Sequence, residues 1–215
     1  NTSVGILDQL GGQPVLPILN LPDGDSALRV AEALVAGGIK VFEITLRNPE
    51  ALQALQAVRE EFPDLTLGAG TLIDKEQIAR VKDMGIDFGV SPGWSEELWA
   101  CSLEVNLPLF PGILTPTELL SAHQAGCRAL KVFPIEPVGG ISYLQSLIAP
   151  FRPLGIRYLP TGGIGRDKVA SYLHDEAVLT VGGSWLTPVN SIENKDFAKI
   201  TGLAIEAFSL SNRPS

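Results

Sequence analysis

Of the seven lysines in the sequence, Lys131 sits where an amine can do covalent chemistry. It lies inside an apolar run, Ala129-Leu130-Lys131-Val132-Phe133, that reads as a β-strand. Lys75, Lys82, Lys168, Lys195 and Lys199 fall in helix-like stretches, where a solvated face accounts for them, and Lys40 opens its strand. Side chains alternate along a strand, so Lys131 and Phe133 share one face while Leu130 and Val132 share the other. An ammonium on a buried face must be paired or lose its proton. Desolvation frees the amine to attack a carbonyl; a structural ion pair is the other reading of the same position.

Proton carriers and anion clamps stand near other strand ends. Glu43, Thr45 and Arg47 alternate with Ile44 and Leu46, so all three can share the inward face. Arg47 offers a planar fork that fits a carboxylate, and Glu43 can serve as a general acid and base tuned by burial and by Lys131. The alternative is a Glu43–Arg47 ion pair that only closes the sheet. Gly68-Ala69-Gly70-Thr71 leaves room and places a hydroxyl. Ser91-Pro92-Gly93 and Phe110-Pro111-Gly112 read as turns or as rigid pocket walls. Pro160-Thr161-Gly162-Gly163 and Val181-Gly182-Gly183-Ser184 end the last two strands. Such glycine pairs let backbone N–H groups converge on an anion, so two of them side by side point to a phosphate seat, with two tight turns as the alternative.

These residues need a frame that repeats strand, turn and helix. Candidate strands are residues 15–19, 40–45, 65–69, 87–91, 107–110, 129–133, 157–161 and 179–182, spaced roughly 20 to 28 residues apart. Helix-like stretches lie between them at 26–36, 49–61, 75–84, 95–104, 117–125 and 167–173. Asp25, Asn48-Pro49, Asp74 and Thr115-Pro116 are their starting signals, and Gly37, Gly85 and Gly126 their stops. Eight such units predict an α/β fold, a (β/α)8 TIM barrel, with Thr2–Gly11 as an N-terminal capping helix; an open doubly wound sheet is the alternative. Chemistry in such barrels sits at the C-terminal strand ends. No linker or composition break divides the chain, so one domain over 1–215 is expected.

Bulk properties narrow the function. With 215 residues, 45% apolar and 19% charged, the chain can build a full core. A net charge of −8 gives no reason to bind nucleic acid or an anionic membrane. No apolar run approaches the roughly 18 residues a bilayer span needs. Cys101 and Cys127 stand apart, which fits a reduced, cytoplasmic setting without disulfides. No secretory signal is apparent, and the start at Asn1 reads as a processed or trimmed chain. His123 and His174 lack metal-ligand spacing, so neither a histidine-based zinc site nor a Ser-His-Asp hydrolase is expected.

Taken in order, these strand-end segments carry a resemblance. Ala36-Gly37-Gly38-Ile39, Glu43-Ile44-Thr45-Leu46-Arg47, Gly68-Ala69-Gly70-Thr71, Ser91-Pro92-Gly93 and Pro111-Gly112-Ile113 form its first half. Leu130-Lys131-Val132-Phe133-Pro134, Pro160-Thr161-Gly162-Gly163-Ile164 and Gly182-Gly183-Ser184-Trp185-Leu186 complete it. Across nearly its whole length the sequence resembles the 2-dehydro-3-deoxy-phosphogluconate (KDPG) aldolase and 4-hydroxy-2-oxoglutarate aldolase family. The resemblance implies a Schiff base on Lys131, Glu43 as acid and base, and a keto-acid carboxylate held by Arg47 and Thr71. It implies a pocket lined by Pro92 and Phe133, and a phosphate held around Thr161, Gly162, Gly163, Gly183 and Ser184. It further implies a homotrimer that needs no metal or other cofactor and acts on a 2-keto acid and a phosphorylated aldehyde. The phosphogalactonate aldolases, which differ at C4, are the near alternative. A phosphosugar isomerase or epimerase, or a non-catalytic sugar-phosphate-binding barrel, is the distant one, and neither needs an amine nucleophile. Ile135, Val138 and Leu114 depart from the family's small residues at those positions, in a region expected to line the pocket.

Overall fold

The structure is a computed structural model that describes residues 3–21 and 23–210. Its strands are β1 (Val15–Leu19), β2 (Val41–Thr45), β3 (Thr66–Gly70), β4 (Phe88–Val90), β5 (Leu109–Phe110), β6 (Gly112–Ile113), β7 (Ala129–Val132), β8 (Arg157–Pro160) and β9 (Val181–Gly183). Its helices are α1 (Ser3–Gly11), α2 (Gly24–Ala36), α3 (Ala51–Glu61), α4 (Lys75–Asp83), α5 (Glu96–Glu104), α6 (Pro116–Gln124), α7 (Gly140–Ile148), α8 (Val169–Leu173), α9 (Val189–Glu193) and α10 (Phe197–Ser209). Thr2, expected to open the first helix, lies outside the described residues. Helices α7 and α9 fall outside the stretches read as helical from the sequence, and α10 carries Lys199, which the sequence places in a helix-like stretch without bounds.

Every paired strand runs parallel to its neighbours. Six form a sheet in the order β5-β4-β3-β2-β1-β9, and three form a second in the order β6-β7-β8. Parallel bridges at Tyr158–Val178 and Thr161–Gly182 join β8 to the segment that runs into β9. The fifth expected strand is split. Leu109 and Phe110 pair with β4, whereas Gly112 and Ile113 pair with β7. Pro111, between them, has no N–H to give a ladder, while its carbonyl accepts from the Lys131 N–H at 3.0 Å. The chain changes partner there instead of turning into a helix.

The two faces of the strands fill differently. Leu130, Val132, Phe42, Ile44, Leu67 and Tyr158 face outward and join one core with the helices. Leu16, Val41, Phe88, Val90, Phe110, Ala129 and Leu159 form the other core, which Ile6 and Leu10 of α1 complete. Gly68 makes this inner packing possible, because a methyl there would lie 2.3 Å from the Phe88 ring. Thr115 and Glu118 start α6 with a reciprocal capping box. Asp74 caps α4 as expected, whereas Asp23 rather than Asp25 caps α2. Among the described residues no helix is long and apolar enough to cross a membrane, and both cysteines are free thiols.

Gln13 ties the starts of β1 and β2 together. Its amide donates to the carbonyls of Val15 and Val41 at 2.8 and 2.7 Å, and accepts from the N–H groups of Lys40 and Val41 at 3.0 and 3.2 Å. The side chain is buried, so its loss strands several backbone groups away from water. Gln13→Ala is expected to lower unfolding free energy by about 2 to 4 kcal/mol, read from urea denaturation. A change under about 0.5 kcal/mol contradicts this account.

Candidate active site

Two titratable side chains come close to each other from different strands. Glu43 comes from the middle of β2 and is fully buried; Lys131 comes from β7 and is 5% exposed. Neither carboxylate oxygen of Glu43 has a hydrogen-bond partner among the described residues. Burial raises the Glu43 pKa, opposed by the nearby charges of Lys131 and Arg47. Burial lowers the Lys131 pKa, opposed by Glu43 and reinforced by Arg47. Burial thus pushes both groups toward their uncharged forms, and the attraction between carboxylate and ammonium opposes it. Gly70 on β3 leaves the space, since a methyl there would sit 2.6 Å from Glu43 Oε1. Thr45, also buried, donates its hydroxyl to the Leu19 carbonyl at 3.0 Å.

The remaining expected residues surround this pair or continue from it. Phe133 lies against the amine, with Lys131 Nζ 5.0 Å from its ring centre. Arg47 is exposed just beyond β2 and donates from Nε to the Thr71 hydroxyl at 3.3 Å. Thr71 follows β3 with a φ of 64°, a left-handed conformation that a β-branched residue rarely adopts. Such strain persists where surrounding structure holds it, commonly at ligand sites. Pro92 is half-buried, and its carbonyl backs onto Gly112, where a methyl would lie 2.3 Å away.

The two glycine turns stand side by side, because Thr161 and Gly182 are bridged. Gly162 and Gly163 take φ values of 105° and 83°, open to glycine and strained for other residues. The Phe133 ring lies beneath Gly162, with Cδ2 3.1 Å from the place of a methyl there. It therefore stands between the amine and the turn. Thr161 is buried, Ser184 exposed, and the N–H groups of Gly163 and Ser184 donate to no acceptor among the described residues. Free N–H groups at adjacent turns can hold an anion.

Sequence reasoning missed one cluster. The Glu136 carboxylate, in the loop after β7, accepts from the Tyr172 hydroxyl at 2.6 Å and pairs with the Lys168 ammonium. Lys168 therefore makes a specific pair where the sequence predicted a solvated face. The three residues belong to separate segments, and no local pattern links them. The region expected to line the pocket is also spent differently. Ile135 is fully buried in the outward core, and Leu114 packs against the same core.

An amine that adds to a carbonyl beside a proton carrier is the equipment of aldolases that work through covalent attachment. Comparison with known proteins reaches the same class. Residues 6–203 match the model of the family "Aldolase: KDPG and KHG aldolase", and the chain belongs to that family. It is an aldolase, an enzyme of the lyase class. A 2-dehydro-3-deoxy-phosphogluconate aldolase of Dickeya dadantii is 42% identical over 194 residues, covering 90% of each chain. The KHG/KDPG aldolase of Escherichia coli K12 is 41% identical over 90% of each chain. The crystal structure of KDPG aldolase from Legionella pneumophila, with pyruvate captured as a covalent carbinolamine, superposes with a TM-score of 0.89. It is 36% identical, and the match covers 94% of this chain and 97% of that one.

The opposing charges around Lys131 give its titration a definite sign. Glu43→Gln removes the charge that holds the ammonium, so the Lys131 midpoint is expected to move to lower pH. Arg47→Met removes a like charge, so the midpoint is expected to move to higher pH. Competitive labelling with acetic anhydride across pH, read by mass spectrometry at Lys131, measures both. Shifts in the same direction would rule out this electrostatic arrangement.

Proposed function

We propose that the chain is a Schiff-base aldolase that reversibly cleaves 2-dehydro-3-deoxy-6-phosphogluconate to pyruvate and glyceraldehyde 3-phosphate, and that 4-hydroxy-2-oxoglutarate is a second substrate. The observation that carries this reading is the buried Lys131 beside a Glu43 carboxyl that has no hydrogen-bond partner. The frame is read as a closed eightfold barrel, with the Thr161–Gly182 bridge as its seam and α1 as the cap over its inner core. A homotrimer is the assembly that the family resemblance implies, and the two separate cysteines favour a cytoplasmic setting.

The chemistry needs Lys131 as the free amine and a proton on Glu43, the forms that burial favours. The Lys131 amine adds to the 2-keto carbon. Glu43 gives its proton to the departing hydroxyl, which leaves as water, so that a cationic iminium faces a carboxylate. The iminium is an electron sink, and its charge favours the ionised form of Glu43. Glu43 then removes the proton of the 4-hydroxyl as the C3–C4 bond breaks, and the bonding electrons neutralise the iminium as an enamine. The aldehyde departs. Glu43 returns its proton to C3 through water, and hydrolysis of the new iminium releases pyruvate and the free amine. Arg47 and Thr71 hold the keto-acid carboxylate, and Phe133 and Pro92 wall the pocket. The backbone at Gly162, Gly163, Gly183 and Ser184, with Thr161 beneath it, seats the distal phosphate.

Pyruvate followed by borohydride is expected to add a stable mass to Lys131, located by peptide mass spectrometry. An adduct of equal yield in Lys131→Ala, or none on the folded wild type, overturns the covalent mechanism. Removal of the substrate phosphate is expected to lower kcat/KM by about a hundredfold or more, on the scale of several charge-assisted hydrogen bonds. An unchanged kcat/KM would place the phosphate elsewhere.

A further inference from the structure

We infer that Glu136 and Lys168 form a charge-balanced brace beneath the Gly162–Gly163 turn, in which Glu136 positions the turn and Lys168 cancels its charge so that the turn accepts a phosphate dianion. The inference rests on the reading of that turn as the phosphate seat.

Glu136 is fastened to the turn by its backbone and pressed against it by its side chain. The N–H of Ile135 donates to the Thr161 carbonyl at 2.9 Å, and the N–H of Glu136 donates to the Gly162 carbonyl at 3.1 Å. A methyl on Gly163 would meet Glu136 Cβ at 3.0 Å, so turn and side chain are in close contact. The neighbouring loop is shaped around the carboxylate as well. Gly140 has a φ of 61°, and a methyl there would lie 3.0 Å from Glu136 Oε1 and 3.3 Å from the Tyr172 hydroxyl.

A carboxylate is a costly choice beside an anion seat. The Glu136 side chain is 15% exposed, so water screens its charge poorly. Left alone, it would repel the phosphate that the turn is built to hold. The Lys168 ammonium, on a side chain 49% exposed, pairs with it from the short helical turn Arg166–Lys168 that follows the glycines. The Tyr172 hydroxyl occupies the other carboxylate oxygen. The cluster thus braces the turn through a charged hydrogen-bond network and presents it with no net charge. Both residues are positioning residues, because neither is placed against the substrate.

The test compares Lys168→Met, Glu136→Gln and the double variant in the full-length protein. Lys168→Met leaves an uncompensated carboxylate, and KM for 2-dehydro-3-deoxy-6-phosphogluconate is expected to rise about tenfold at low salt, with kcat within about twofold of wild type. The rise shrinks at high ionic strength. Borohydride trapping of pyruvate, which carries no phosphate, is expected to proceed as in wild type. Glu136→Gln keeps a hydrogen-bond acceptor for Tyr172 and leaves an excess positive charge, so KM should not rise. The double variant is expected to return KM to within about threefold of wild type. Gly163→Ala tests the seat itself and is expected to raise the same KM. If Gly163→Ala raises KM and Lys168→Met does not, the brace is wrong and the seat stands. If neither does, the seat falls and the brace with it. A KM that stays high in the double variant would make Lys168 a direct phosphate ligand and overturn charge balance. Equal losses on pyruvate and on the phosphorylated substrate, insensitive to salt, would reduce the cluster to a structural one.

Discussion

The structure is organised around the cost of keeping a carboxyl and an amine out of water without neutralising them through hydrogen bonds. Glu43 is wholly buried and its oxygens have no partner, while Lys131 is nearly so. An isolated buried charge costs several kcal/mol, and a group so placed moves toward its neutral form. That cost has to be met by the rest of the fold. Glu43 sits on β2, which has a parallel neighbour on each side, β1 and β3. Gln13 makes three hydrogen bonds to the entry of that strand and a fourth to Val15 of β1, and Gly70 reserves the volume for the carboxyl.

The division of labour between strand faces follows from the same cost. The outward faces pack against helices and supply most of the apolar burial. On the inward face, large side chains such as Phe88, Phe110 and Leu159 fill the ring together with Ile6 and Leu10. Polar residues take over toward the C-terminal strand ends, at Glu43, Thr45, Lys131 and Thr161. Because side chains alternate along a strand, one face can be apolar at its start and reactive at its end without disturbing the other.

That alternation explains what could be read in advance. The inward direction of Lys131 and the outward direction of Leu130 and Val132 depend on a period of two, which local sequence carries. The same rule placed Glu43 and Thr45 on one face, and the glycine pairs marked the adjacent turns. What escaped was set by partners distant in the chain. The break at Pro111 depends on β4 and β7 competing for one short segment. The left-handed backbone of Thr71 has no local sequence signal, and its hydroxyl is met by Arg47, 24 residues away. Glu136 reaches Lys168 across 32 positions and Tyr172 across 36, and side-chain networks of that kind leave no periodic trace. Ile135 lies in a region that the family resemblance assigns to the pocket, yet it is buried in the outward core.

Under the proposed mechanism, the resting state also explains how one interior serves every step. A neutral acid beside a neutral amine places no net charge in the apolar ring. Formation of the iminium moves one proton from Glu43 to departing water and creates two opposite charges together, where low dielectric makes their attraction strong. Carbon–carbon cleavage delivers the 4-hydroxyl proton to Glu43 as the iminium becomes a neutral enamine, so both sites become neutral in the same step. The interior therefore holds either no charge or a balanced pair. The substrate's permanent charges are kept outside it, with the carboxylate at exposed Arg47 and the phosphate at the turn bearing exposed Gly163 and Ser184. A site that buried those anions beside Lys131 would favour its ammonium and oppose the free amine that the mechanism needs.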